Sequence, residues 1–144
     1  MKRINSGLVL AFVYCLWVGG LAVADTDFNR VQGSWTAVDK GGDGLEMTVH
    51  GGSATLVIIG QDGSSNSMDA KIQLEETKSP KQIDILDVGG QAGSNVLGIY
   101  ELNSQANALN ICLDMSGQGR PTTFDGCGDA DKKSGTTFLT FKRK

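Results

Sequence analysis

The chain has 144 residues, enough for one domain, with 13 basic and 16 acidic side chains and 20 glycines. Its net charge of −3 argues against a nucleic-acid partner, which requires a basic face. Its one histidine, His50, leaves little material for a zinc site.

The first segment reads as a targeting signal. Lys2 and Arg3 precede an apolar run from Leu8 to Ala24, which ends in the small-x-small sequence Ala22-Val23-Ala24. Residues 1–24 are therefore expected to be a cleaved signal peptide, and 25–144 a single domain, periplasmic or secreted. The run is barely long enough to span a bilayer, and its Gly19-Gly20 pair also favours cleavage, so no stable membrane span is expected afterwards. Acylation at Cys15 is disfavoured, because bulky Tyr14 precedes it and the cysteine lies inside the run. Cleavage removes two basic residues and no acidic one, which leaves a net charge of −5. Two cysteines remain, Cys112 and Cys127. An even pair in an oxidising compartment points to one disulfide. The alternative is an unpaired, buried Cys112.

Beyond the signal, glycines and two prolines separate short apolar runs, as in an all-β protein with hairpin connections. Asp25 to Gln32 can form one helical turn, capped by Asp25, Thr26 or Asp27, with Phe28 and Val31 facing the core. Strand one is expected over Ser34–Asp39 and strand two over Leu45–His50, where Leu45, Met47 and Val49 alternate with polar residues. Gly51-Gly52 is a two-residue turn. Strand three, Ala54–Gly60, is apolar on both faces. A loop over Gly60–Ser67 leads to strand four, where Met68, Ala70, Ile72 and Leu74 alternate with Asp69, Lys71, Gln73 and Glu75. The remaining strands are expected at Gln82–Val88, Val96–Leu102, Ala108–Met115 and Thr136–Arg143, with a short extended piece at Pro121–Phe124. Eight such strands can bury their edges by closing on themselves. A two-sheet sandwich is the structural rival.

The chain ends favour closure. Gly33-Ser34-Trp35 opens the first strand, and Leu139-Thr140-Phe141-Lys142-Arg143 closes the last. If Leu139 and Phe141 face inward, so does Arg143, and the ring of Trp35 offers it a cation–π partner. The set Gly33-x-Trp35, Pro80-Lys81-Gln82-Ile83-Asp84, Gly98-Ile99-Tyr100-Glu101-Leu102, Leu109-Asn110-Ile111-Cys112, Arg120-Pro121-Thr122-Thr123-Phe124 and Lys142-Arg143 resembles the pattern of a small, uncharacterised lipocalin-like domain family best known from planctomycetes. The match runs from Gln32 to Arg143 in order. The resemblance implies an eight-stranded antiparallel lipocalin-like (calycin-type) barrel and export, with no enzymatic activity attached. Cys112 fits the pattern, whereas Cys127 departs from it. The glycine- and serine-rich region between strands two and four departs as well.

Asp84, Tyr100 and Arg120 are the candidate ligand-binding residues. Asp84 and Arg120 suit a bidentate pair. They would either anchor a ligand headgroup at the barrel mouth or form a salt bridge tying a loop to the sheet. Tyr100 would either line a cavity or pack with its hydroxyl satisfied. Gly33, Trp35 and Arg143 are assigned to barrel closure. Asp125, Asp129 and Asp131 share a loop but lack EF-hand spacing, and Lys132-Lys133 oppose a calcium ion. No nucleophile elbow, phosphate loop or dinucleotide fingerprint occurs. No cofactor, metal or catalytic residue is expected. The expected function is non-enzymatic binding of a small apolar or amphipathic ligand by a monomer. The alternative is an envelope protein-interaction or inhibitor module working through loops 60–67 and 115–134.

Overall fold

A computed structural model describes residues 24–39, 41–128 and 135–144. Most of the expected signal peptide lies outside these residues. The chain forms a short helix α1 (Asp27–Arg30) and eight strands: β1 (Gly33–Val38), β2 (Gly44–His50), β3 (Ser53–Ile59), β4 (Ser65–Glu75), β5 (Lys81–Leu86), β6 (Val96–Leu102), β7 (Ala108–Asp114) and β8 (Thr136–Arg143). Each strand pairs antiparallel with the next, and β8 returns to β1, closing a barrel in the order β1 to β8. Pairing of β1 with β8 leaves no strand with a wholly free edge of the kind a sandwich would keep. An eight-stranded up-and-down barrel is the architecture of lipocalins.

Alternation decides which side chains enter the barrel. Trp35 and Ala37, Met47 and Val49, Ile83 and Ile85, Tyr100 and Leu102, and Leu139 and Phe141 belong to one buried core. Residue 98 must be glycine for steric reasons. A Cβ there would stand 2.6 Å from the Cys112 carbonyl and 2.8 Å from Leu113 Cδ2.

A second, smaller apolar layer lies outside the wall. Ile99 and Cys112 are fully buried yet fall on the face opposite Tyr100 and Ile111. They are register partners, and Cys112 pairs onward with Phe138. The segment after β7 folds back over them. It is held by the Cys112–Cys127 disulfide and by an edge-to-face contact of Phe124 with Phe138, ring centroids 6.2 Å apart.

Several boundaries differ from expectation. β4 begins at Ser65, because Ser65, Asn66 and Ser67 extend the ladder opposite Ile59, Ile58 and Val57. Pairing with a long apolar strand overrides the weak β-propensity of serine and asparagine. The expected loop over Gly60–Ser67 shrinks accordingly. β5 stops at Leu86, where Asp87 adopts a left-handed conformation (φ 52°) and Val88–Gly90 forms a 3-10 turn. Pro121–Phe124 forms no strand; it lies in the covering segment, whose register is set by side-chain anchors.

Candidate functional site

One end of the barrel is shut. Thr26 caps α1, its Oγ1 accepting from the Asn29 N–H at 3.4 Å. The helix thereby delivers Val31 to the core and lays its backbone over Trp35, whose Nε1 donates to the Val31 carbonyl at 2.8 Å. The Arg143 guanidinium sits 4.3 Å from the Trp35 ring centroid. It also donates to three backbone carbonyls: Nε to Ala106 at 2.9 Å, Nη1 to Gln32 at 2.8 Å and Nη2 to Arg30 at 2.5 Å. Gly33 makes room for this. Its φ is +107°, and a Cβ would meet Arg143 Nη1 at 3.0 Å, so both conformation and space call for glycine. Gly33, Trp35 and Arg143 thus meet at one closure.

Beside that closure lies a carboxylate that the sequence did not single out. Asp27 is 4% exposed. Its side chain accepts from Lys81 Nζ at 2.5 Å, Tyr100 Oη at 2.9 Å and Arg30 Nη1 at 3.2 Å. Its backbone N–H donates to Glu76 at 2.7 Å. Burial pushes the Asp27 carboxyl pKa up, but the hydrogen bonds from Lys81 and Tyr100 and the charges of Lys81 and Arg30 outweigh it and hold the value below the ordinary one. Burial and the Asp27 carboxylate push the Tyr100 phenol upward, so it stays a proton donor. Tyr100 is therefore a packed residue at the shut end with a satisfied hydroxyl.

Asp84 and Arg120 do form a pair, with Nη2 2.6 Å from Oδ1. Ile83 and Ile85 point into the core, so Asp84 between them points to the outer wall. The guanidinium also donates to the carbonyls of Gly98 at 2.7 Å and Ile83 at 3.2 Å. The pair fastens the covering segment to the sheet and does not stand at the barrel mouth. The contact at Oδ1 is an ion pair whose angles fall outside hydrogen-bond geometry. The three expected ligand residues consequently do not converge.

The other end is open. A cavity of about 340 Å³ enters the barrel there, lined by Leu45, Leu56, Ile58, Met68, Ile85, Val88, Val96, Leu113, Met115 and Leu139, with Asp39, Asp43, Gly44 and Thr137 among its remaining residues. Its origin is a gradient in side-chain size. The buried aromatics Trp35, Tyr100 and Phe141 fill the shut half, whereas only aliphatic, methionine and small polar side chains reach the mouth. Ile58 and Met115 remain 39% and 61% exposed at the rim. A larger hollow of about 540 Å³ lies outside, among Thr55, Asp69, Lys71 and Asp87. It is an open surface depression crossed by the Lys71–Asp87 salt bridge at 2.8 Å, so the more enclosed and more apolar barrel cavity is the better candidate site.

Sequence reasoning anticipated an apolar interior but not where it would be hollow. Ile85 lines the cavity, as an inward residue should, and Phe141 fills the shut end. Ile99 lies under the covering segment, because Gly98 and Tyr100 take the inward positions. Parity within Gly98-Ile99-Tyr100 is the signal for this. Among the described residues no cluster of three metal-ligating side chains occurs. Asp129 and Asp131 lie outside the described residues.

No protein-family model matches the chain, and no curated protein matches it. Among solved structures, a lipocalin lipoprotein affecting virulence in Streptococcus pneumoniae is similar over 78% of this chain and 91% of its own, with 17% identity and a TM-score of 0.42. A lipocalin-like protein from Bacteroides uniformis is similar over 80% and 99%, with 13% identity and a TM-score of 0.45. The fold assignment rests on the strand order itself: this is a closed, eight-stranded, lipocalin-like barrel with one shut end and one open, apolar end.

Proposed function

We propose that this chain is an exported, non-enzymatic binding protein that holds a small apolar or amphipathic molecule in the open end of its barrel. The observation that carries the reading is the apolar cavity of about 340 Å³, which falls within the about 300–1,000 Å³ range of small-molecule sites. At about 30 Å³ per water it would hold roughly eleven waters against aliphatic walls, and a ligand that displaces them gains the hydrophobic term. Export is supported by the leader-like residues 1–24 and by the Cys112–Cys127 disulfide, which suits an oxidising compartment. The ordered motif set supports kinship with the planctomycete lipocalin-like family.

The test is titration of purified protein, residues 25–144, with the neutral fluorescent probe N-phenyl-1-naphthylamine. The wild type should bind it, and Leu56→Trp, which fills the cavity from β3, should weaken binding about tenfold or more, equivalent to about 1.4 kcal/mol. A wild type that binds no probe, or a folded Leu56→Trp protein that binds as well as wild type, refutes the reading. The exposed rim residues Ile58 and Met115 favour one second reading, an envelope protein docking across the mouth. Under it Met115→Glu would abolish capture of that partner, whereas the cavity-filling Leu56→Trp would leave capture intact.

A further inference from the structure

The charge at the mouth narrows the class of ligand. Asp39 and Asp43 stand on the β1–β2 turn at the cavity edge, and the described lining residues include no lysine, arginine or histidine. Asp39 Oδ1 accepts from the Asp43 N–H at 2.9 Å, and the Asp39 N–H donates to the Asp43 carbonyl at 3.0 Å. The turn therefore fixes both residues beside the opening. Neither carboxylate has an ion-pair partner among the described residues.

The nearby cations that the structure describes are committed elsewhere. Arg120 is bound to Asp84 on the outer wall, and Lys71 to Asp87. Asp62 and Asp114, the other acids of nearby loops, are not among the residues lining the cavity. In sequence, residues 39–43 carry two aspartates and Lys40, a net charge of −1.

We propose that the cavity selects amphiphiles with a cationic head, such as a long-chain alkylammonium, and disfavours fatty acids, with Asp39 and Asp43 receiving the head while the chain lies among Leu56, Ile58 and Met115. This rests on the cavity reading above. An apolar chain inserted from the mouth leaves its polar head at the rim, close to both carboxylates. There a positive charge is attracted, and a carboxylate head meets two like charges. The headgroup site also differs from the sequence-based expectation, in which Asp84 and Arg120 would either anchor a ligand headgroup or form a salt bridge.

The experiment compares dodecylammonium, dodecanol and dodecanoate by titration calorimetry below their micellar concentrations, at low and at physiological salt. Dodecylammonium should bind about tenfold or more tighter than dodecanoate, with dodecanol between them and the gap narrowing as salt rises. Asp39→Asn/Asp43→Asn should reduce the gap to within about threefold, with dodecanol binding changing less than that of either charged ligand. Asp43→Asn alone, which leaves Asp39 and its backbone contacts in place, should reduce it partly and covers the case in which the double variant fails to fold. If dodecanol binds but dodecanoate binds as tightly as dodecylammonium, or the preference survives both variants, the charge assignment is overturned while the cavity reading stands. If none of the three binds, the cavity reading itself fails and the assignment fails with it.

Discussion

Arg143→Ala tests the closure most directly. The substitution removes a guanidinium 4.3 Å from the Trp35 ring and three hydrogen bonds to the carbonyls of Arg30, Gln32 and Ala106. Those carbonyls belong to α1, the segment after it, and the β6–β7 turn, so one side chain ties three separate pieces of chain. The cation–π contact at a partly hydrated site contributes about 1 kcal/mol. Each hydrogen bond contributes about 0.5–1 kcal/mol, toward the low side because the freed carbonyls rehydrate. The sum is about 2.5–4 kcal/mol, or about 8–20 °C in Tm for a domain of this size. Differential scanning fluorimetry on the oxidised protein reads it. Arg143→Lys keeps a cation near the ring but loses the planar fork, so it should fall about halfway between the two. A shift below about 2 °C for Arg143→Ala, smaller than one such hydrogen bond supplies, would refute the latch.

Asp27→Asn should also destabilise at neutral pH, by about 2 kcal/mol, because Lys81 and Arg30 lose their counter-charge while the Tyr100 hydroxyl keeps an acceptor. The folded-state pKa of Asp27 lies below the unfolded value of 3.8. Its contribution is therefore fully present above that value and lost as pH falls through the folded one. Urea midpoints of wild type and variant should differ at pH 7 and converge below about pH 4; a constant gap would show that the carboxylate's charge is not involved. Reducing the Cys112–Cys127 bond, which spans 15 residues, should destabilise by about 3 kcal/mol in the chain-entropy picture. Thermal scans with and without reductant that superimpose would contradict this.

Much of the barrel was legible because half-buried strands declare their parity. Met47 and Val49, or Ala70 and Ile72, alternate with polar residues over runs long enough to exclude a helix, and the placement of Arg143 over Trp35 follows from the same counting. The shut end was legible only in part. Asp27 reads in sequence as one of three capping candidates. Its partners Glu76, Lys81 and Tyr100 lie 49, 54 and 73 residues away, and no local pattern encodes that convergence. The position of Ile99 depends on tertiary context for a related reason. An apolar residue on an outward position is stable only if something covers it, and the cover is the segment between Arg120 and Cys127. The same cover moved Asp84 and Arg120 from a supposed mouth to the outer wall. The hollow at the open end depends on which layers receive Trp35, Tyr100 and Phe141, and that is a property of register across eight strands.

The seam between β1 and β8 connects the shut end with the open one. Its ladder has two residue pairs, Trp35 with Arg143 and Thr36 with Lys142, both at the shut end. The β7–β8 ladder has seven. From Ala37 toward the mouth, β1 continues along β2 alone. A crevice of about 220 Å³ opens there among Asp39, Gly41, Gly128 and Thr136–Phe138. Backbone pairing thus supplies little of the closure, and side chains supply the rest, concentrated in Arg143 and the cap formed by α1. That distribution suits a container loaded from one end: strand separation near the mouth need not break the ladder at the base. It also sets an order among the variants. Arg143→Ala should loosen the seam from the shut end and weaken ligand binding along with stability, whereas substitutions at Asp39 and Asp43, beyond the ladder, should alter ligand preference with little change in Tm.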